Sequence, residues 1–450
     1  MSENNNSAPT IESTTIRSRD RDPILQSLQA GLVPRRGLQH IQVGRAHETK
    51  AITDDIDRIA DGGSAVRFII GEYGSGKTFF LNLMRTIALE KRLVTAHADL
   101  TPDRRLRSTS GHGRALYQQL ARNLSTRATP DGGALRSIVE RFIAEANREA
   151  TTQDIPTEEI IRDRLHELSE LVAGYAFTDV IALYWDGYQN NDDELQHAAL
   201  RWLRGEYGTK TEARKELDTR VPIIDDSNWY EMTKLMARFV TLAGYEGLLV
   251  NLDEMVNLYK LSHGGARQSN YEKLLSIVND GLQGQTVGLG FLFAGTPKFL
   301  TDSKRGLYSY EALKSRLSES TFASDELVDM SGPVIRLSSL TQEDMFVLLQ
   351  KLRHVHAGGN PENYVVPDEA LEAFMRHCNE QVGAAYFQTP RNTIKEFLGF
   401  LSILEQNPRV SWEELIGDID IASDVGQTTQ SEETESTGSD EEDDLANFEL

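Results

Sequence analysis

Cysteine is nearly missing from this chain: Cys378 is the only one in 450 residues. That excludes an intramolecular disulfide and any cysteine-based metal cluster. No apolar run approaches the roughly 20 residues that cross a bilayer. The polar stretch Met1–Thr15 has neither a basic region nor an apolar signal core, so a cytoplasmic protein without membrane association is expected. Basic residues are also outnumbered, 47 Lys and Arg against 69 Asp and Glu, for a net charge of -22. A chain of that sign does not coat nucleic acid over its whole surface, although local basic patches stay open. Ten of the carboxylates fall in 424–450, which holds no Lys or Arg. There is no internal repeat, no Asn-Lys-x-Asp tetrad for reading guanine and no recognisable helicase motif.

What is present is one strong motif. Gly71-Glu72-Tyr73-Gly74-Ser75-Gly76-Lys77-Thr78 fills every fixed position of G-x-x-x-x-G-K-[ST]. The apolar run Val66–Ile70 leads in and Phe79–Met84 leads out, the strand–loop–helix context of a P-loop. Glycines let such a loop curl until several backbone N–H groups face one set of phosphate oxygens, with the positive end of the next helix behind them. Lys77 would reach the β- and γ-phosphates of ATP, and Thr78 would offer its hydroxyl to Mg²⁺.

The second stretch that carries chemistry is Leu248-Leu249-Val250-Asn251-Leu252-Asp253-Glu254, an apolar strand closed by two carboxylates. In that Walker B form Asp253 holds Mg²⁺ through its water shell and Glu254 orients and polarises the attacking water. The interval from Lys77 to Asp253 is too long for one strand and one helix. After Leu93–Leu100, read as a second strand, the pattern from about 113 to 243 is helical, so a helical insertion is expected there. Trp185, Trp202 and Trp229 fall inside it and read as core anchors. The basic segment Arg104-Arg105-Leu106-Arg107, running on to Arg114, reads as a solvated turn or as a contact to a nucleic-acid backbone or partner.

These motifs resemble P-loop ATPases of the AAA+ type, and the resemblance implies further site residues. A Gly-Arg turn before the first strand flanks the adenine in that class; here it is Gly44-Arg45, or else the helix behind it serves packing alone. Val287–Pro297 reads as a buried strand, and Thr296 at its end is the expected γ-phosphate sensor, unless it only starts a helix. Arg316 is the expected arginine finger directed at a neighbouring subunit, with Arg305 also fitting the loose pattern. Arg391, early in a later helix, matches a second sensor or is a solvated helix-start arginine. From Thr341 the chain is helical, with capping-box spellings at Thr341–Asp344 and Ser411–Glu414.

More specifically, the chain resembles the BrxD-like ATP-binding proteins of BREX-type phage-defence systems. The likeness rests on Gly31-Leu32-Val33-Pro34 with Val43-Gly44-Arg45, on Ile70 through Phe80, and on Ala98-Asp99-Leu100 leading to Leu116-Tyr117. It continues through Leu252-Asp253-Glu254, Phe293–Pro297 and Thr389-Pro390-Arg391, spanning about 24 to 405. It implies an AAA+-like fold and an ATPase component of a multi-protein antiviral system, working with a helicase or other defence protein on DNA. DNA contact, direct or through that partner, and a homo-oligomer follow as expectations.

The expected architecture is α/β: a three-layer P-loop NTPase with a parallel sheet over 21–340, the insertion at about 113–243, and a C-terminal helical lid or winged-helix-like domain over 341–423. A disordered arm, 1–20, and an acidic tail, 424–450, whose composition cannot bury enough surface to fold, complete it. The expected activity is Mg²⁺-dependent ATP hydrolysis. Nucleotide would be held by Gly71, Glu72, Tyr73, Gly74, Ser75, Gly76, Lys77, Thr78, Phe79, Gly44 and Arg45, metal by Thr78 and Asp253. Catalysis would rest on Glu254, Lys77, Thr296, Arg316 and Arg391. The rival reading is a switch or scaffold that binds ATP, hydrolyses it slowly or not at all, and recruits a helicase or nuclease.

Overall fold

The computed structural model describes residues 15–319, 329–382 and 390–417. Helices α1 (Ser18–Gln29) and α2 (Ala46–Ala60) precede β1 (Ser64–Ile70), α3 (Lys77–Glu90) and β2 (Val94–Asp99). Seven helices follow: α4 (His112–Arg122), α5 (Leu135–Gln153), α6 (Thr157–Arg164), α7 (Gly174–Asn190), α8 (Asp193–Leu203), α9 (Lys210–Leu217) and α10 (Trp229–Leu242). Then come β3 (Leu248–Asp253), α11 (Val256–Tyr259), α12 (Gly264–Leu282), β4 (Leu289–Gly295), α13 (Pro297–Thr301), α14 (Glu311–Leu317) and β5 (Val334–Arg336). The last helices are α15 (Gln342–His356), α16 (Asp368–Val382), α17 (Pro390–Gln406) and α18 (Trp412–Gly417).

The chain divides into two units, Gln42–Ser339 and a second one built from the described parts of Met1–Ile41 and Leu340–Leu450. In the first, five parallel strands run in the order β2-β3-β4-β1-β5. Parallel strands covered on both faces read as continuous apolar runs, and β1, β3 and β4 are buried at every position. One face, carrying Val66, Phe68, Val250 and Phe291, shares its core with α12 and the inserted helices. Tyr230 of α10 meets Phe291 of β4 at 6.1 Å across this boundary, and Phe142 meets Phe239 at 5.3 Å within the insertion. The insertion between β2 and β3 is therefore an outgrowth of the third layer. Trp185, Trp202 and Trp229 are all buried in that core.

The opposite face packs on α2 and α3. There Arg67, in the middle of β1, is 6% exposed and pairs with Asp55 of α2, 1% exposed. Its guanidinium also donates to the Met330 carbonyl at 2.9 Å. A charge in a buried strand is tolerable only when so paired and bonded.

The second unit is helical among its described residues. Thr341 and Asp344 form the capping box of α15, each side chain accepting the other's backbone N–H at 3.1 Å. Glu414 N–H donates to Ser411 Oγ at 3.3 Å at the start of α18. Phe374 of α16 meets Phe397 and Phe400 of α17 at 5.2 and 5.8 Å. Here the sequence-based boundary shifts. Residues up to 41 belong with this unit, because α1 packs on α15 and α17. Helix α1 also begins at Ser18, inside the span expected to be a disordered arm; 1–14 of that arm, Thr389 and the acidic tail lie outside the described residues. No helix among the described residues is long and apolar enough to cross a membrane.

Candidate nucleotide site

Gly74 and Gly76 take φ of 78° and 80°, the left-handed region that glycine enters without strain. At Gly71 the requirement is space: a Cβ would stand 2.4 Å from Ser75 Oγ and 3.0 Å from the Leu337 carbonyl oxygen. The loop closes tightly between β1 and β5, and α3 starts at Lys77 with Gly76 as its N-cap. The N–H groups of such a first turn have no partner within the helix. Lys77 Nζ donates to the carbonyls of Gly71 at 2.9 Å and Glu72 at 2.8 Å, which puts the ammonium inside the loop. Burial holds its pKa below the usual lysine value, against the pull of Asp253 and Glu254. Ser75 Oγ is buried without a hydrogen-bond partner. Tyr73 projects outward, 51% exposed, with Lys77 Nζ 5.6 Å from its ring centre. Glu72 is exposed, and Phe79 is half-buried.

The Gly-Arg turn reaches this loop. Gly44 and Arg45 both have left-handed φ, 61° and 58°, and Arg45 caps α2. The Arg45 guanidinium donates to the Ser75 carbonyl and, at 3.3 Å, to the Ser338 carbonyl beyond β5. The helix behind it packs as well, burying Ile52, Ile56 and Ile59.

At the same end of the parallel sheet, Asp253 closes β3. Its Oδ2 accepts the Thr78 hydroxyl at 2.7 Å and its Oδ1 accepts the Glu254 N–H at 2.7 Å. Glu254 itself has φ of 57°, an uncommon conformation for a residue with a side chain. Its carboxyl pKa is raised by the partial loss of hydration around it, then by Asp253 and Asp99. Asp99 is the residue that sequence reasoning missed. It ends β2 in register with Asp253, and the Leu100 N–H donating to the Asp253 carbonyl at 3.0 Å locks the two strand ends together. Burial and then Asp253 raise its pKa, and Arg104 offsets part of that. Asp99 ends β2 as Asp253 ends β3, but no local spelling in the sequence pairs the two strand ends.

The remaining candidates differ in placement. Thr296 follows β4, which lies between the P-loop strand and β3. It is buried, and its Oγ1 accepts the Phe299 N–H at 3.3 Å as the cap of α13. Arg316 is half-buried and held within its own unit: Nε donates to Asn279 of α12, and Nη1 to the Ala312 carbonyl at 2.8 Å. Arg305 donates to the carbonyls of Tyr259 and Leu261 at 3.3 and 3.2 Å. Arg391 belongs to the helical unit, where its side chain lies over Gly31. In the basic segment, Arg107 exchanges two backbone hydrogen bonds with the Asn270 amide at 2.9 and 3.0 Å. Asp226 accepts the N–H groups of Gly111 and Arg114 at 2.9 and 2.8 Å, so this turn is built and anchored.

These residues fit a phosphate ester with a hard divalent cation. Thr78 and Asp253 offer adjacent oxygen donors, and no group of three His, Cys, Asp or Glu side chains among the described residues makes a metal cage of its own. That is the pattern of Mg²⁺, which is commonly held by one or two carboxylates together with the substrate's phosphates.

Residues 16–420 match the model of a protein family described as BREX system ATP-binding protein BrxC/D. Comparison with curated proteins finds no match.

Proposed function

Because the chain belongs to the BrxC/D family of BREX system ATP-binding proteins, we propose that it is the nucleotide-driven component of a multi-protein defence system, an Mg²⁺-dependent ATP hydrolase. The observation that carries this reading is the 2.7 Å hydrogen bond from Thr78 to Asp253. It places the loop that would bind phosphates against the strand end that carries Glu254. Lys77 and the first N–H groups of α3 hold the β- and γ-phosphates. Thr78 and Asp253 hold Mg²⁺, which when bound neutralises charge on the phosphate oxygens. Glu254, kept more basic than an ordinary carboxylate, draws a proton from the water it orients. Thr296 senses the γ-phosphate, and Arg45 and Gly44 flank the base. The chain acts in the cytoplasm as an oligomer and couples ATP turnover to DNA, directly or through a partner helicase.

The test is ATP turnover by the purified chain, alone and with duplex, forked or single-stranded DNA, with Glu254→Gln as the blank. Turnover that rises with DNA and vanishes in the variant supports a DNA-coupled ATPase. A second reading, an ATP-dependent switch that recruits the enzyme doing the DNA work, is favoured by the Arg316 guanidinium being engaged with Asn279 and Ala312 of its own chain. Tight ATP binding without turnover under all of these conditions would select the switch.

A further inference from the structure

The helical unit carries a groove of about 610 Å³ lined by none of the candidate nucleotide-site residues. Its walls combine the apolar Leu404, Val410 and Trp412 with Arg21, His356 and Glu405. Glu405 faces the His356 ring at 3.4 Å, whereas Arg21 Nε is buried without a hydrogen-bond partner. An apolar wall beside an arginine fits an extended segment in which carboxylates adjoin apolar anchors.

This chain contains such a segment. Asp440-Glu441-Glu442-Asp443-Asp444 is followed by Leu445-Ala446-Asn447-Phe448-Glu449-Leu450, the apolar part of an otherwise polar and acidic stretch. It follows α18, whose first residue, Trp412, lines the groove. The connection from Gly417 to Asp440 is about 20 residues, which as a flexible chain has an end-to-end distance of about 25 Å. A tether of that length supplies an effective concentration in the millimolar range, so even weak docking is populated.

We propose that this groove receives residues 440–450 of the same chain, with Leu445 and Phe448 against Leu404, Val410 and Trp412, and the preceding carboxylates beside Arg21. The tail is then an internal ligand of the helical unit, which a competing acidic peptide of a partner would displace.

The composition of the chain makes the test direct. Of its four tryptophans, Trp185, Trp202 and Trp229 are buried and Trp412 lines the groove. The full-length chain is labelled with 5-fluorotryptophan, Trp412→Phe assigns the groove resonance, and a spin label is placed at Ser439→Cys in a Cys378→Ser background. At low salt the Trp412 fluorine signal is expected to lose at least half its intensity relative to the reduced label, with the other three unchanged. Arg21→Glu, or about 0.5 M salt, should at least double the remaining signal, since screening at that ionic strength acts within a few ångströms. An unbroadened Trp412, or broadening indifferent to Arg21→Glu, overturns the proposal. So does broadening that fades on dilution or arises between separately labelled chains, which would assign the groove to a second copy's tail. If Cys378→Ser impairs folding, a photo-reactive p-benzoylphenylalanine at Phe448 in the otherwise native chain gives the same answer. Intrachain cross-links to the segment from Leu404 to Trp412 or to Arg21 are expected, and cross-links elsewhere reject the assignment.

Discussion

Asp99 and Asp253 stand side by side in the parallel register of β2 and β3, each at the end of its strand. With Glu254 next in the chain, three carboxylates share one rim of the sheet. Burial and mutual repulsion therefore hold the Asp99 and Glu254 carboxyls above their ordinary ranges.

Removing the Asp99 charge should ease both effects. Glu254 must be ionised to act as a base, and Asp99 raises its pKa, so Asp99→Asn should shift the acid limb of the turnover profile to lower pH. Stability follows by linkage. A carboxyl raised from its ordinary 3.8 in the fold contributes stability that is fully present below that value and is lost as pH rises through the folded pKa. Asp99→Asn should therefore melt higher than the native chain at pH 8, with the gain shrinking toward pH 4. An unchanged pH profile would show that Asp99 does not influence the reacting base.

Lys77 and Glu254 should separate binding from chemistry. Lys77→Ala removes a charge-assisted contact worth about 1.5–3 kcal/mol, so ATP affinity measured by calorimetry should fall about 10- to 100-fold. Glu254→Gln should leave affinity within a few-fold and lower turnover by about 10²- to 10⁴-fold, the usual contribution of a general base. Intact binding in Lys77→Ala would sink the phosphate assignment.

How much of this was legible in the sequence depended on distance along the chain. The P-loop, the Asp253-Glu254 strand end and the helical filling between them could be read locally, because each is a contiguous spelling with its own period. Asp99 could not, since its meaning lies in a register with a residue on the far side of the insertion. Arg67 was hidden in the same way: Val66–Ile70 reads as one apolar run, and only the fold brings Asp55 to the arginine within it. Helix α1 has a clear helical period, but amphipathicity does not say which unit buries its apolar face, and it packs on α15 and α17. The guanidinium of Arg316 met the loose spacing of a finger, while its hydrogen bonds hold it on α12. That tie depends on Asn279, which no spacing pattern marks.

The Asp55–Arg67 pair makes a stability prediction independent of nucleotide. Breaking a buried ion pair from one side leaves an uncompensated charge and costs about 3–5 kcal/mol. Asp55→Asn should therefore lower the urea midpoint by that equivalent, and Asp55→Leu combined with Arg67→Met should recover most of it. A loss below about 1 kcal/mol in Asp55→Asn would mean that the carbonyls of Met330 and Gly332 suffice to satisfy Arg67.

Glu254 offers the sharpest test of strain at the proposed reacting position. Its φ of 57° costs a residue with a Cβ about 1–2 kcal/mol, and such costs collect where function holds the backbone in place. Glu254→Ala and Glu254→Gly both delete the carboxylate, so both should abolish turnover and both should relieve the repulsion from Asp99 and Asp253. They differ only in the backbone. Glycine ordinarily loses to alanine through about 0.5–1 kcal/mol of chain entropy, but in a left-handed conformation the order should reverse. Glu254→Gly is therefore expected to be the more stable of the two by up to about 1 kcal/mol in urea unfolding at pH 7. Alanine equal to or above glycine would show that this turn relaxes once the carboxylate is gone. The strain would then belong to the interaction between Glu254 and its neighbours, with no part of it fixed by the junction of β3 and α11.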